Sequence, residues 1–304
     1  MDDRFHGIIP AMATPFSKSH EVDYGALRAL IDWYVECGVH GLSICGSQGE
    51  FFALDRDEHI LVMERTVDAV GGRIPVYAGT GAVSTRAAIS LTQAAQTIGV
   101  DMAMAITPSF ISPKADELAQ HFEAIARSTT LPILLYNNPP RTHLNITPAL
   151  FAQCAAIENI VGIKDSSGDI TQVIEYVRLT QGRKLAFAGR DTIILAILLH
   201  GGHGAISPAA NVFPRLLVKL YDEFRGGRLD RARFISDQLA PLRLAWDLGS
   251  FPVVIKEAMA LVGRDAGPAR LPIQPLHPDA RAELSSVIER LREADAALSQ
   301  TLTR

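Results

Sequence analysis

Residues 160–179, IVGIKDSSGDITQVIEYVRL, join a short apolar run to a longer amphipathic stretch. The run IVGIKD (160–165) is too short for a typical helix, and its composition predicts a strand that is buried on both faces, as in parallel sheets. Asp169 then supplies a side-chain acceptor of the kind that commonly begins a helix, and apolar residues recur behind it at helical spacing. The stretch therefore predicts one β-strand followed by one α-helix, with polar residues at their junction.

The same unit recurs along most of the chain. The eight apolar runs that predict buried strands are GIIPAMATP (7–15), GLSICGS (41–47), IPVYAGTG (74–81), MAMAITP (102–108), LPILLYNNP (131–139), IVGIKD (160–165), KLAFAG (184–189) and GAISPAAN (204–211). Helix-start residues follow several of them, namely Asp23, Asp55, Ser84, Thr147 before Pro148, and Asp169. Eight strand-then-helix units favour an α/β protein with a (β/α)8 TIM barrel over an open doubly wound sheet.

The pattern changes after residue 225, where the predicted strands stop. Segments 228–247, 252–262 and 278–300 have helical character, and the stretch GPARLPIQPLHP (267–278) predicts a linker between the last two. We therefore predict two regions, a barrel over residues 1–225 and a C-terminal helical extension over residues 226–304 that packs on the barrel.

Composition limits the partners of the protein. A net charge of −4 provides no positive field for a phosphate backbone, so nucleic acid is not an expected partner. The acidic start MDDRFHGIIP does not resemble a secretory signal, and no apolar run approaches the ~20 residues of a membrane span. Cys37, Cys45 and Cys154 are scattered without CxxC spacing, which is typical of reduced core thiols. We expect a cytoplasmic protein that contacts no membrane.

One lysine stands out among the polar residues at the predicted strand ends, where barrel enzymes carry their chemistry. Lys164 follows the apolar run 159–163, so its amine would lie at the top of a buried strand. Burial in such a place can lower the pKa of a lysine from its ordinary ~10.4 and expose the electron pair that attacks a ketone carbonyl. The position makes Lys164 a candidate for Schiff-base chemistry.

Two alternatives for the lysine stay open. Lys164 could instead form an ion pair with Asp165 or with a carboxylate on a neighbouring strand, because an unpaired buried charge is costly. Lys256, in FPVVIKEAM (251–259), is a second lysine among apolar residues. Its surroundings predict a helix, on which we expect its amine to extend to the surface or to pair with Glu257.

Four motifs at predicted strand ends carry a resemblance to a known family. In chain order they are Pro10-Ala-Met-Ala-Thr-Pro-Phe16, Gly46-Ser-Gln-Gly-Glu50, Tyr136-Asn-Asn-Pro-Pro-Arg-Thr142 and Gly162-Ile-Lys-Asp-Ser-Ser-Gly168. Each motif alone is weak, but the ordered set is specific. The chain resembles the dihydrodipicolinate synthase/N-acetylneuraminate lyase family of pyruvate-dependent aldolases and lyases, from about Gly7 to Pro275.

The resemblance implies catalytic roles for three residues. Lys164 matches the lysine that forms a Schiff base with pyruvate, and Tyr136 matches the tyrosine that transfers protons beside it. Ser47 matches the hydroxyl residue of the loop after the second strand. In that loop the backbone N–H groups of Ser47 and Gln48 would bind the carboxylate of pyruvate.

The resemblance also implies residues for the second substrate. Arg141 matches the arginine that binds the carboxylate of aspartate semialdehyde in the synthase branch, a task suited to the guanidinium fork. Gly189 and the backbone of Ile206 match positions that line the same pocket. An aldehyde acid or an acidic sugar derivative is therefore the expected partner of pyruvate.

The chain departs from the family pattern at two positions. Phe110 stands in Thr107-Pro108-Ser109-Phe110 where the synthases have the second tyrosine of the proton relay, normally contributed across a subunit interface, and Gln48 replaces the second threonine of its loop. The stretch GEFFAL (49–54) is closer to branches that handle 2-keto-3-deoxy sugar acids. The resemblance thus implies a dihydrodipicolinate synthase-like lyase, with a 2-keto-3-deoxy sugar acid aldolase or dehydratase as the alternative. A barrel that binds 2-oxo acids but has lost turnover is a third possibility.

Rival barrel chemistries have weaker support. His200 and His203 are the only close histidine pair in the sequence. They lie in a glycine-rich turn that we expect at the end of the barrel opposite the catalytic strand ends, which favours a structural role over a metal site. Gly79-Thr80-Gly81 could approach a phosphate, but a tight turn explains it equally well. The resemblance implies no metal or organic cofactor, because the lysine imine is the electron sink, and it implies a homotetramer.

Overall fold

All eight predicted strands form. The computed structural model describes residues 4–300, so residues 1–3 and 301–304, the ends of the two predicted regions, lie outside the described part. The strands are β1 Gly7–Pro10, β2 Leu42–Ile44, β3 Val76–Gly79, β4 Met102–Ile106, β5 Ile133–Asn137, β6 Ile160–Asp165, β7 Leu185–Ala188 and β8 Gly204–Ser207. Neighbours are parallel and follow chain order, and β1 pairs with β8. Because a bridge between Ala11 and Ser43 joins β1 to β2, the ring closes and the predicted (β/α)8 barrel is confirmed.

Helices connect the strands and cover the barrel. Within residues 4–300 they are α1 Tyr24–Glu36, α2 Arg56–Val70, α3 Thr85–Ile98, α4 Ala115–Arg127, α5 Pro139–Thr142, α6 Pro148–Cys154, α7 Ile170–Leu179, α8 Ile194–Leu199, α9 Pro214–Arg225, α10 Leu229–Ala245, α11 Val253–Leu261 and α12 Pro278–Gln300. The predicted helix-start side chains all accept a backbone N–H of the first turn, at Asp23, Asp55, Ser84, Thr147 and Asp169. These bonds satisfy donors that a helix leaves unpaired at its start. No helix in the described residues is long and apolar enough to cross a bilayer.

The chain after the barrel is helical, as predicted. Helix α10 packs on α9 and on the short 3-10 turn after β7, and α12 packs on α10 and α11. Trp246, just after α10, donates its indole N–H to the Asp191 carboxylate at 3.4 Å. The end of α10 therefore reaches the carboxyl end of the barrel. Helices α9 and α10 lie on either side of residue 225 and pack together, so no gap in packing marks a boundary there. The division into regions 1–225 and 226–304 stays a prediction.

Side chains fill the inside of the barrel. Alternate strand residues point inward, and those of the lower layers are apolar, among them Tyr77, Leu134 and Phe187. Near the carboxyl end the inward positions of β5 and β6 change to Tyr136 and Lys164. Polar chemistry is thus confined to one end of an otherwise packed interior.

Candidate active site

Lys164 and Tyr136 lie side by side at the carboxyl end of the barrel. The register of β5 and β6 pairs the two residues, and Nζ of Lys164 is 4.1 Å from the centroid of the Tyr136 ring. Gly162 precedes the lysine by two residues and so faces the same way. A Cβ at Gly162 would overlap the carbonyl oxygen of Leu185 on β7. The missing side chain therefore lets β6 and β7 pack closely beneath the lysine.

Lys164 has no carboxylate partner among residues 4–300. Its side chain is 4% exposed, and no ion pair within residues 4–300 includes it. Asp165 faces out of the barrel, where its carboxylate accepts the side-chain amides of Asn137 at 2.8 Å and Gln172 at 3.1 Å. The alternative in which Lys164 pairs with Asp165 is therefore wrong. The Tyr136 ring is an electrostatic partner instead, since a ring face attracts a desolvated ammonium group.

Three side chains surround the Tyr136 hydroxyl. Asn138 donates its amide N–H to the hydroxyl at 2.8 Å, and the hydroxyls of Ser47 and Ser166 lie 3.4 and 3.5 Å from it. Burial on its own raises the pKa of the phenol, but the nearby Lys164 charge and the three hydrogen bonds outweigh burial and lower the pKa of Tyr136 below its ordinary value. Tyr136 therefore gives up its proton more readily than an ordinary tyrosine.

A cavity of about 110 Å³ opens at Lys164 and Tyr136. Ser47 and Gln48, from the loop after β2, form part of its wall. Within residues 4–300, no hydrogen bond uses the backbone N–H of either residue, so both groups can donate to an anion. The side-chain oxygen of Gln48 is buried without a hydrogen-bond partner. Because pockets for drug-sized ligands measure ~300–1,000 Å³, this cavity suits a small metabolite.

Arg141 and Gly189 reach the cavity wall, as the resemblance implied. The guanidinium carbon of Arg141 lies 4.3 Å from the centroid of the Phe251 ring, which fixes the plane of the group. A Cβ at Gly189 would overlap the hydroxyl of Ser166. Glycine at this position therefore leaves room for the Ser166 hydroxyl beside Tyr136.

Ile206 and Phe110 lie elsewhere. Ile206 is fully buried in the apolar interior of the barrel and is not part of the cavity wall, to which Pro208 belongs instead. Phe110 follows β4 with a positive φ of 70° and is 100% exposed. It does not line the cavity of its own chain, so a role for Phe110 at the site requires a second chain.

Five polar residues of the cavity wall had no role in the sequence interpretation: Asn138, Ser166, Arg190, Arg243 and Asp247. The first three stand at or directly after the ends of predicted strands, and that position was the available signal. Arg243 carries no such signal because it lies on α10, far along the chain from every strand.

Lys256 corrects one prediction. Its ammonium group lies 2.7 Å from the Glu50 carboxylate and donates to the carbonyl oxygen of Pro268 at 2.8 Å, whereas Glu257 pairs with Arg281 at 2.9 Å. Burial lowers the pKa of Lys256 to about 8, and the Glu50 charge opposes the shift. The expected pairing with Glu257 is wrong because α11 turns Lys256 inward, 2% exposed, towards the loop after β2. Lys256 is not part of the cavity wall.

The features behind the rival chemistries have structural explanations. A Cβ at Gly79 would overlap the carbonyl oxygen of Cys45, and one at Gly81 would press on the backbone of Ile106. These glycines therefore allow close packing. His203 directly precedes β8, at the end of the barrel opposite the cavity, and its Nδ1 accepts the backbone N–H of Ala186 at 3.3 Å.

A (β/α)8 barrel with a buried lysine and tyrosine at the carboxyl end of adjacent strands is suited to the Schiff-base chemistry of an aldolase-type lyase. The sequence profile described as "Dihydrodipicolinate synthetase family" matches residues 4–291. The chain belongs to this family.

Individual relatives agree over nearly the whole chain. The 4-hydroxy-tetrahydrodipicolinate synthase of Methanospirillum hungatei JF-1 is 39% identical over 289 residues, which cover 94% of this chain and 99% of the relative. The structure of the 4-hydroxy-tetrahydrodipicolinate synthase from Methylacidiphilum fumariolicum SolV has a TM-score of 0.94 at 34% identity and covers 97% of this chain and 99% of that one. YagE of E. coli K12, a family member solved in complex with pyruvate, has a TM-score of 0.92 at 34% identity, with 95% and 99% covered.

Proposed function

We propose that the protein is a pyruvate-dependent aldolase of the 4-hydroxy-tetrahydrodipicolinate synthase type, which joins pyruvate to an aldehyde acid such as aspartate semialdehyde. One observation carries the proposal: the amine of Lys164 is buried without a carboxylate partner in the described residues, 4.1 Å from the ring of a tyrosine whose pKa is lowered. The names of the relatives and the pyruvate bound to YagE support this choice of substrates.

Lys164 supplies the electron pair of the first step. Its neutral amine attacks the C2 carbonyl carbon of pyruvate. The carbonyl oxygen takes up two protons, one lost by the attacking nitrogen and one given by an acid, and leaves as water to give a C=N iminium. A proton leaves C3, and the electrons of that C–H bond move towards the iminium nitrogen to form an enamine. Tyr136 is the group that gives and receives these protons, since it lies beside the lysine and its hydroxyl accepts hydrogen bonds from Ser47 and Ser166.

The new carbon–carbon bond forms at C3 of the enamine. C3 attacks the aldehyde carbon of the second substrate, whose oxygen takes up a proton, and the iminium is regenerated. Water then adds to the iminium, releases the product and returns Lys164 as a free amine. The backbone N–H groups of Ser47 and Gln48 bind the pyruvate carboxylate, and Arg141 binds the carboxylate of the aldehyde. The iminium accepts the electrons at each stage, so the scheme uses no metal or organic cofactor.

Borohydride trapping tests the proposal. The protein is incubated with pyruvate, reduced, digested and mapped by mass spectrometry, with Lys164→Ala and Lys256→Ala as matched variants. We expect a reduced pyruvyl adduct on Lys164 in the wild type and in Lys256→Ala, and none in Lys164→Ala. An adduct on Lys256, or no adduct, contradicts the mechanism. Turnover is then compared between aspartate semialdehyde with pyruvate and 2-keto-3-deoxy sugar acids.

Phe110, which stands in place of the family's second relay tyrosine, supports a second candidate function. This candidate is a 2-keto-3-deoxy sugar acid aldolase or dehydratase. Phe110 has no hydroxyl with which to extend a proton relay from Tyr136, whereas Asn138 of the same chain already bonds to the Tyr136 hydroxyl. Cleavage or dehydration of a sugar acid without turnover of aspartate semialdehyde would assign this branch. Trapping without turnover of either substrate would assign a 2-oxo-acid-binding barrel.

A homotetramer is proposed as the assembly, with the loops after β2, β3 and β4 at one interface. These adjacent loops carry exposed apolar side chains, namely Phe52, Val83, Phe110 and Ile111. Apolar surface of this kind is typical of protein interfaces. We also propose a cytoplasmic location, which the free and buried thiols of Cys37, Cys45 and Cys154 support.

A further inference from the structure

Three arginines line the cavity, and the proposed function uses only Arg141. Arg190 follows Gly189 in the loop after β7, and Arg243 lies in the last turn of α10. No carboxylate within residues 4–300 lies within 4.0 Å of any of the three guanidinium groups, although other arginines of the chain do form ion pairs. The cavity therefore carries guanidinium groups that the protein itself does not neutralise.

The backbone holds Arg190 in place. Its Nε–H donates to the carbonyl oxygen of Ser166 at 3.1 Å, and its guanidinium group packs against Gly168, where a Cβ would come within 3.0 Å of the guanidinium carbon. The hydrogen bond to Ser166 uses the Nε–H donor of the guanidinium group. No hydrogen bond in the described residues uses its two terminal NH₂ groups. The remaining donors suit an oxyanion, which arginine can bind in a bidentate manner.

Arg243 lies close enough to influence the other two arginines. Burial lowers the pKa of both Arg141 and Arg190, the charge of Arg243 lowers both further, and Asp247 opposes these shifts. Arg141 and Arg190 remain protonated at neutral pH, because an arginine pKa begins above 12. Arg243 and Asp247 come from the end of α10 and the 3-10 turn after it, so the C-terminal extension contributes charge to the site.

The charge balance of the cavity wall is strongly positive. Three guanidinium groups, those of Arg141, Arg190 and Arg243, face one acid, Asp247, which leaves 3 − 1 = 2 positive charges in a chain whose net charge is −4. The proposed function assigns the pyruvate carboxylate to the backbone N–H groups of Ser47 and Gln48, so this excess is left for the aldehyde. A semialdehyde with one carboxylate brings one negative charge, and aspartate semialdehyde offsets it with its own ammonium group. A second carboxylate on the aldehyde completes the balance.

We propose that Arg190 and Arg243 form a second anion subsite, so that the preferred aldehyde carries two carboxylates, one bound by Arg141 and one by this pair. The inference rests on the aldolase chemistry of the proposed function and changes its preferred aldehyde from aspartate semialdehyde, which has one carboxylate, to an aldehyde with two. The two carboxylates of such an aldehyde equal the excess of two guanidinium charges in the cavity wall.

Aldehydes that differ by one carboxylate test the subsite. Pyruvate is paired with succinate semialdehyde, aspartate semialdehyde or 4-oxobutane-1,2-dicarboxylate, and kcat/KM is measured for the wild type, Arg190→Gln, Arg243→Gln and the exposed control Arg290→Gln. Each arginine offers charged hydrogen bonds, so we expect Arg190→Gln and Arg243→Gln to lower kcat/KM for the dicarboxylate about tenfold to a hundredfold. The same variants should change kcat/KM for succinate semialdehyde by less than about threefold, and Arg290→Gln should change neither value.

Binding separates the two proposals. Calorimetry compares propane-1,2,3-tricarboxylate with glutarate on the wild type and both cavity variants, and pyruvate trapping on Lys164 is measured in parallel. Tighter binding of the tricarboxylate that disappears in Arg190→Gln and Arg243→Gln supports the subsite, even if trapping fails and the proposed chemistry falls. If the tricarboxylate binds no better than glutarate, or if both variants weaken both ligands equally, the subsite is refuted while trapping still decides the chemistry.

Discussion

Replacing Asn138 with leucine removes the shortest hydrogen bond to the Tyr136 hydroxyl and keeps a side chain of similar shape. The amide of Asn138 donates to that hydroxyl at 2.8 Å, whereas Ser47 and Ser166 lie more than half an ångström further away. An N–H donor stabilises the phenolate more than the phenol. Asn138 is therefore a positioning residue that keeps the pKa of Tyr136 low, and its loss raises that pKa.

The size of the shift follows from the kind of bond. A hydrogen bond to a charged group contributes about 1.5–3 kcal/mol, and one pH unit corresponds to about 1.4 kcal/mol, so Asn138→Leu should raise the pKa of Tyr136 by roughly 1–2 units. Ser166→Ala removes a bond at 3.5 Å and should produce a smaller rise. Because the pKa is lowered in the folded protein, the stability gained from these bonds is present only at alkaline pH and is lost as the pH falls through that pKa.

An ultraviolet titration of tyrosinate measures the shift directly. Burial raises the pKa of Tyr24, Tyr34, Tyr176 and Tyr221, whereas the pKa of Tyr136 is lowered, so we expect the tyrosinate signal of Tyr136 to appear before the signals of these four. We expect this signal to move to higher pH in Asn138→Leu and to disappear in Tyr136→Phe. The alkaline limb of kcat/KM should move in parallel, because Tyr136 must be protonated to act as an acid.

The reasoning fails if the early tyrosinate signal of Asn138→Leu stays where it is or moves to lower pH. It also fails if Tyr136→Phe retains that signal, since another tyrosine would then have the lowered pKa. Thermal unfolding of each variant at neutral pH verifies that the fold survives the substitution.

Three further perturbations probe the packing of the site and the assembly. Lys256→Met leaves the Glu50 carboxylate buried without its 2.7 Å partner and should lower the free energy of unfolding by about 3–5 kcal/mol in urea titration, whereas a loss below about 1 kcal/mol would mean that the pair is unimportant. Gly189→Ala places a Cβ onto the hydroxyl of Ser166 and should lower kcat/KM by roughly tenfold. Adding Ser166→Ala should recover part of that loss, and no recovery would point to a different clash. Phe110→Asp introduces a charge at a fully exposed apolar position and should reduce the mass measured by light scattering if the loops after β2 to β4 form an interface, whereas an unchanged mass would place the interface elsewhere.

Much of the barrel could be predicted because each strand and helix is marked by residues that lie within it or directly beside it in the sequence. Each strand is a short apolar run, and helix-start residues such as Asp55 and Asp169 bond to backbone groups only three positions away. Lys164 and Tyr136 could be placed for the same reason, since parallel strands in a closed barrel bring their carboxyl ends to one place. The sequence could not show that Ile206 lies in the barrel interior and not in the cavity wall, because both places lie at the end of the same buried strand.

Contacts between distant segments required the tertiary structure. The partner of Lys256 is Glu50, more than two hundred residues earlier, and the adjacent Glu257 was the nearest carboxylate in the sequence. Arg243 shares the cavity with Lys164 only because α10 packs over the turn after β7. The composition and order of the chain thus determined the barrel and the strand-end position of the lysine, since hydrophobic periodicity acts over a few residues, whereas the family resemblance singled out the tyrosine. The charge around the cavity was decided by helix packing, because long-range contacts follow the shapes of whole elements and have no local pattern in the sequence.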